Sequence, residues 1–273
     1  MKLSELSELG LLAELERRGL ARGIENDAAE LPSGIVVTQD ALVESVHFRL
    51  DWISWRDLGW RAAAVNLSDL AASGATPDGL VVSLALPADT AVEDVLALYE
   101  GMAETGVSVI GGDTSRADNV TLSVTALGRS ERVPGRAGAR PGDRLVVTGP
   151  LGAAGAAFRE QRYVRLPLRL AEGQALAAHA SAMLDLSDGL AVDAQHVADR
   201  SGCRLVIDLD RVPLAPGARL EDLGFGEDYE LLAAVPDPVD HHHEIGHAEA
   251  GKGVELLHRG VPTTLPGWDH FKM

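Results

Sequence analysis

The chain has 273 residues, 46% of them hydrophobic and only 4% aromatic, so it can build one large or two modest domains with cores filled by Ala, Leu and Val. A formal net charge of −17 excludes the basic footprint of a nucleic-acid or anionic-membrane surface, although divalent cations can still join carboxylates to phosphates. The single cysteine, Cys203, excludes an internal disulfide, and no apolar run reaches transmembrane length, which predicts a cytoplasmic protein.

Leu3, Leu6, Leu9, Leu11, Leu12 and Leu15 fall near helical spacing and predict an opening helix that Gly19 ends. "GIVVTQDALV" (34–43) reads as a strand, 56–73 as a helix, "DGLVVSLALP" (78–87) as a strand closed by Pro87, and 91–105 as a third helix. Residues 106–116 and 120–129 read as two strands about a polar turn. The Gly-, Pro- and Arg-rich "VPGRAGARPGD" (133–143) predicts a linker, which divides the chain into domains 1–135 and 136–273. Beyond it come strand, Gly-rich turn and helix in "RLVVTGPLGAAGAAF", a short strand and helix in "SAMLDLSDGLAVDAQHVADRSG", and strands in "CRLVIDLDRVPL" and "YELLAAVP". The order predicts an α/β protein of the α+β type.

Asp69, in "VNLSDLAASGA" (65–75), sits among small apolar residues of a predicted helix. A carboxylate buried there without a partner costs several kcal/mol or takes up a proton, so it calls for a cation or a fan of donors. Acidic residues recur near Gly, Ser or Thr: Asp27 in "GIENDAAEL", Asp40 in "VTQDALV", Asp113 in "IGGDTSR", and Asp185 and Asp188 in "LDLSDGL". Hard carboxylates beside small residues and hydroxyls suit oxygen-only coordination of Mg²⁺ next to phosphate. The turn "TGPLGAAG" (148–155) offers backbone N–H groups to a phosphate at a helix start. "GHAEAGKG" (246–253) imitates a P-loop but has Gly253 where Ser or Thr is needed, and His241, His242, His243 and His247 read as a solvated polar loop.

In order along the chain, "AVNLSDLAASGA", "IGGDTSR", "GARPGDRLVVTG", "LDLSDGLAVDAQH", "GEDYEL" and "GWDHF" resemble the thiamine-monophosphate kinases, a family of the aminoimidazole-ribonucleotide-synthetase-like ATP-binding superfamily. The resemblance implies a two-domain fold with mixed sheets flanked by helices, and a homodimer built through the N-terminal domains. It also implies transfer of the ATP γ-phosphoryl group to thiamine monophosphate at a site bridged by several Mg²⁺ ions. Carried over by position, Asp27, Thr38, Asp40, Asp69, Asp113, Asp185 and Asp188 match metal-binding positions. Tyr99, Gly112, Asp113, Arg136 and Ser187 match nucleotide or phosphate contacts, and His47, Glu227 and Trp268 match the acceptor side. On the residues alone, Trp268 is equally a plug for the chain end, His47 a satisfied strand-end histidine and Tyr99 a core tyrosine.

Four places depart from the pattern, one of them "RLPLRL" (165–170) where a proline-rich stretch is usual. Glu25-Asn26-Asp27 stands where the family usually shows Gly-Asp-Asp, Thr38-Gln39-Asp40 where it shows Ser-Thr-Asp, and Phe225 replaces a glycine. These leave open a nucleotide-binding homologue with weak or no kinase activity, or a sister enzyme using ATP on another small substrate.

Overall fold

Helices and strands follow the hydrophobic pattern closely in the computed structural model, which describes residues 8–21, 26–165 and 167–267. After helix α1 (Glu8–Arg17), strands β1 (Ala29–Leu31), β2 (Ile35–Val43), β3 (Thr76–Leu86), β4 (Val109–Arg116) and β5 (Thr121–Arg129) form one sheet in the order β1-β2-β5-β3-β4. Its β3–β4 pair is parallel and the other pairs are antiparallel. Strand β5 alternates half-buried and buried residues, with Leu122, Val124 and Ala126 turned to the core.

The second sheet runs β12-β11-β8-β10-β6-β9-β7. Its strands are β6 (Arg144–Val147), β7 (Ala182–Asp185), β8 (Arg204–Asp208), β9 (Leu231–Val235), β10 (His243–Glu249), β11 (Gly253–His258) and β12 (Val261–Thr263). Helices α4 (Ala153–Arg159), α5 (Leu170–Ala177) and α6 (Leu190–Ser201) flank it. β9 reads Leu-Leu-Ala-Ala-Val with every residue buried, because both of its faces are covered. Leu232 and Ala234 pack with residues of α6, while Leu231, Ala233 and Val235 pack with α5 and with Ala71 and Ala72.

Those two alanines belong to α2 (Trp55–Ala72), the helix that joins the two halves. Ser54 caps it by accepting a hydrogen bond from the Asp57 N–H at 3.1 Å. Leu58, Ala62, Leu67 and Leu70 of α2 face the first sheet's core, into which α3 (Val92–Ala103) also packs. A helix apolar on nearly every side is buried on nearly every side. Against its C-terminal end α5 comes so close that a Cβ at Gly173 would lie 2.2 Å from the Ala71 carbonyl oxygen. Arg132, in the connecting segment, donates to the carbonyls of Ala177 and Ala180 and so satisfies the end of α5.

The patterned elements lie where the spacing predicts, while β1, α5, β11 and β12 carry no strong periodicity and go unpredicted. The histidine run departs from expectation. His243 and His247 lie on β10, which is hydrogen-bonded to β6 and β8, with Ile245 and Ala248 buried. Polar residues on the outer side of a strand resemble a loop when the apolar partners are only Ile and Ala. No helix among the described residues is long and apolar enough to cross a membrane.

Candidate active site

Where β2, the last turn of α2 and the end of β7 meet, the carboxylates of Asp27, Asp69 and Asp185 offer oxygens that all lie within 4.8 Å of one another. Alternation along β2 turns Thr38 inward, where its hydroxyl donates to Asp69 Oδ2 and reaches the Asp27 carbonyl at 3.3 Å. Two residues on, Asp40 donates its backbone N–H to Asn66 Oδ1 at 3.0 Å, which ties β2 to α2. One acidic end of the second sheet thus meets two acidic elements of the first.

Such crowding raises every member's affinity for protons. Burial, then the neighbouring Asp185, Asp40 and Asp27, pushes the Asp69 carboxyl well above the usual range, although Thr38 partly offsets this. Burial and Asp27 push Asp185 up to about 8, and burial with Asp188 and Asp27 pushes Asp40 up to about 6. Asp27 is also raised by burial, against the opposing pull of Arg136, whose guanidinium meets its Oδ1 at 2.6 Å. Asp185 Oδ2 is buried without a well-formed hydrogen bond among the described residues, though the nearby Ser68 hydroxyl favours its ionised form.

A second acidic group adjoins the first. Asp188, Asp193 and His196 bring ligand atoms within 4.8 Å of one another. Asp193 is buried and accepts from the backbone N–H groups of Asp188 and Gly189 at 3.0 and 3.1 Å, which fixes the Ser187–Gly189 turn. Burial, then Asp188 and Asp185, raises the Asp193 carboxyl; burial and Arg136 lower His196 to about 4. Sequence reasoning missed Asp193, whose signal is its place four residues beyond Gly189 in "SDGLAVD".

Beside these clusters a cleft of about 960 Å³ opens between the halves, lined by Asp40, His47, Ser187, Asp188 and Glu227 among others. His47 accepts the Val43 N–H on Nδ1 at 3.0 Å. Glu227 pairs with Arg61 of α2, a buried guanidinium whose Nε has no hydrogen-bond partner among the described residues. Arg61 also went unpredicted, since an arginine near the start of a helix reads as a solvated face. Glu227 and Tyr229 both hold positive φ, 58° and 52°, for non-glycine residues at the rim of the cleft.

The glycine-rich turn is otherwise engaged. Asp228 accepts from the N–H of Gly152 at 2.8 Å and of Ala153 at 3.1 Å, so a protein carboxylate takes the place expected for phosphate at the start of α4. Burial pushes Asp228 up to about 7 even though three backbone N–H groups favour its charged form.

Three expected nucleotide residues lie elsewhere. Tyr99, on α3, packs against the first sheet's core. Gly112 and Asp113 sit on exposed β4 at the sheet edge, and a Cβ at Gly112 would lie 1.9 Å from the Val82 carbonyl oxygen. The register Ala41–Ser123–Ser83–Asp113 puts two strands between Asp113 and β2. Trp268 lies outside the described residues.

Comparison with known proteins agrees with this architecture. AIR synthase related protein, N-terminal domain, matches residues 25–130, and AIR synthase related protein, C-terminal domain, matches 140–257. Thiamine-monophosphate kinase of Aquifex aeolicus is 33% identical, over 99% of this chain and 100% of the relative. The chain belongs to the thiamine-monophosphate kinase family. The Caulobacter vibrioides relative is 34% identical over 92% of this chain and 86% of its own length. Among solved structures, AaThiL complexed with AMPPCP and TMP superposes with a TM-score of 0.90 at 33% identity, covering 99% of both chains. The hydrogenase maturation protein HypE in complex with ATP shares the fold at 19% identity, with a TM-score of 0.72 over 94% of this chain and 93% of that one. The family's fold is thus present in this chain, and within it Asp27, Asp69 and Asp185 come together.

Proposed function

We propose that this protein transfers the γ-phosphoryl group of ATP to the phosphate of thiamine monophosphate, giving thiamine diphosphate and ADP in the cytoplasm. The observation that carries the reading is the meeting of Asp27, Asp69 and Asp185 beside Asp40 and Asp188, which line a cleft between the halves, in a chain that aligns end to end with a relative of that activity. The relative's structure with AMPPCP and TMP supports both substrates.

The donor set fits Mg²⁺. Its ligands are hard oxygens, they repel one another without a cation, and one buried oxygen of Asp185 is unsatisfied. Asp27, Thr38, Asp40, Asp69, Asp185 and Asp188 would hold the ions. When bound, Mg²⁺ screens the repulsion between donor and acceptor phosphates.

The chain's own residues position the reactants. Ser187 and the turn fixed by Asp193 face the phosphates, and Arg136, already held by Asp27, adds a cation beside them. Arg61 pairs with Glu227 in the cleft that His47 also lines, and in this reading both face the acceptor, with Trp268 assigned to the acceptor side by the resemblance alone. The acceptor oxygen is ionised at neutral pH, so no strong general base is required.

The active form in this reading is a homodimer of chains with domains 1–135 and 136–273. Strand β4 supports it: an edge strand exposed along nearly its whole length, with Ile110 60% exposed, is a surface for a second copy. Pairing there would account for Gly112 and Asp113, with Tyr99 on the neighbouring helix, as nucleotide contacts made to the partner's site. Incubation with ATP, Mg²⁺ and thiamine monophosphate, followed by chromatography, should yield thiamine diphosphate above a no-enzyme control. ATP binding without product would instead make the chain a non-catalytic homologue.

A further inference from the structure

The chain contains only four Trp, three Tyr and four Phe, yet among the described residues six of these line the interdomain cleft. Three form a continuous wall. Trp52, from the segment between β2 and α2, meets Phe158 of α4 edge-on, with ring centroids 5.7 Å apart. Phe158 meets Phe225 at 4.9 Å with the planes inclined by 37°. Phe158 nevertheless leaves 53% of its surface exposed, a poor outcome for a ring whose only task is packing.

Phe225 is held rigidly. On one side Gly224 approaches the Pro266 backbone so closely that a Cβ would lie 2.5 Å from its carbonyl oxygen. On the other, Gly226 has φ 83° and room for no side chain, since a Cβ would lie 2.2 Å from the Ser187 carbonyl oxygen. The ring therefore projects from a backbone fixed against the Ser187–Asp188 turn, two residues before Glu227. Such a site gives a planar ligand a preformed face at little entropic cost.

Resting on the proposed reaction, we infer that Trp52, Phe158 and Phe225 form the wall that receives the aromatic, cationic part of the acceptor, and that Phe225 sets specificity for it. Location separates this ligand from the nucleotide base. His47 and Glu227 line the same cleft, and Ser187 brings only its phosphate contact there, whereas Tyr99, Gly112 and Asp113 do not line it. Ring faces attract a positively charged heteroaromatic more strongly than a neutral purine. Arg49 already occupies a position over Trp52, 4.9 Å from the ring centre, which leaves Phe158 and Phe225 as the faces for the acceptor.

The test uses the full chain with Mg²⁺, reading turnover kinetics and, separately, calorimetric binding of thiamine monophosphate and of ATP. Phe225→Leu fills much of the volume without a ring face, so it should keep the melting temperature while raising the acceptor KM about three- to tenfold. ATP affinity should stay within about twofold, because the inference puts the wall on the acceptor and not on the nucleotide base. Phe225→Tyr, which keeps the ring, should behave like the parent, and Phe158→Ala should shift the same parameter as Phe225→Leu. Unchanged acceptor affinity in Phe225→Leu overturns the inference, as does a loss confined to ATP, which would put the adenine on this wall. Parallel losses in both ligands with a lowered melting temperature would show a structural cluster and also overturn it. A parent protein that binds thiamine monophosphate but forms no product would defeat the proposed reaction alone, and the binding comparison would still decide the wall.

Discussion

Asp69 shows at the scale of one residue how a stability defect becomes a binding site. Its carboxylate lies in the last turn of a buried helix, flanked by Leu70, Ala71 and Ala72, with Asp27 and Asp185 close by and the Thr38 hydroxyl donating to it. Without a cation this arrangement repels itself. Asp69→Asn removes one charge and keeps an oxygen for Thr38, so in excess chelator the variant should melt no lower than the parent. Its phosphoryl transfer should fall at least about a hundredfold, as expected when a charge-stabilising ligand is lost. Scanning calorimetry beside the kinase assay checks both halves, and a variant that loses stability while keeping activity contradicts the assignment. The same crowding sets a pH dependence. A carboxyl whose proton is held more tightly in the folded state stabilises the fold below its unfolded pKa, and that stability is lost as pH rises through the folded value. With Asp40 at about 6 and Asp185 at about 8, the metal-free melting temperature should fall between about pH 5 and pH 8. Added Mg²⁺ should restore most of it at the upper end. A metal-free protein that grows more stable across that interval would show these carboxylates to be compensated by the protein itself.

Among elements, α4 depends on a residue far away in sequence. Its first N–H groups are satisfied by Asp228, and the helix carries Phe158 into the cleft wall. Asp228→Ala strips a buried cap and should cost about 2 kcal/mol in urea unfolding, while Asp228→Asn, which keeps an acceptor oxygen, should recover part of the loss. Equal losses in the two variants would mean that charge rather than hydrogen bonding holds α4. This element also marks what the sequence could reveal. The strand–turn–helix pattern of 144–159 is readable from its apolar runs and glycines, but nothing local says that the turn's donors are spoken for by a carboxylate 75 residues on. Asp27, Asp40, Asp69, Asp185 and Asp188 are legible because each recurs beside small residues or hydroxyls. Arg61 and Asp193 are not, because an arginine or aspartate on a helix has the same local pattern whether it faces water or a buried partner. Phe225 is visible only as a departure from a resemblance. Its meaning comes from Phe158 and Trp52, which the fold brings from two other segments.

For the whole molecule the open geometric problem is Asp113. In one protomer it lies on the outer strand of the first sheet, level with Ala41 but with β5 and β3 between them, which places it about 14 Å along the sheet from β2. A dimer built on β4 resolves this if each active centre combines the carboxylate cluster of one chain with Asp113 of the other. Asp69→Asn and Asp113→Asn should each abolish most activity, Asp113→Asn by at least about tenfold. Co-refolding the two inactive variants in equal amounts then discriminates. Random pairing makes half of the dimers mixed, and in a shared-site dimer one centre of each mixed pair collects both substitutions while the other is intact. About a quarter of parental activity should therefore return, since a two-fold axis builds two equivalent centres. If each centre is built within one chain, every centre in a mixed dimer carries one lesion and activity stays at the level of the separate variants. Size-exclusion chromatography of the mixture confirms that dimers form, so an absence of recovery in a dimeric sample would show that Asp113 serves the centre of its own chain, and full activity of Asp113→Asn alone would place it outside the phosphoryl-transfer site.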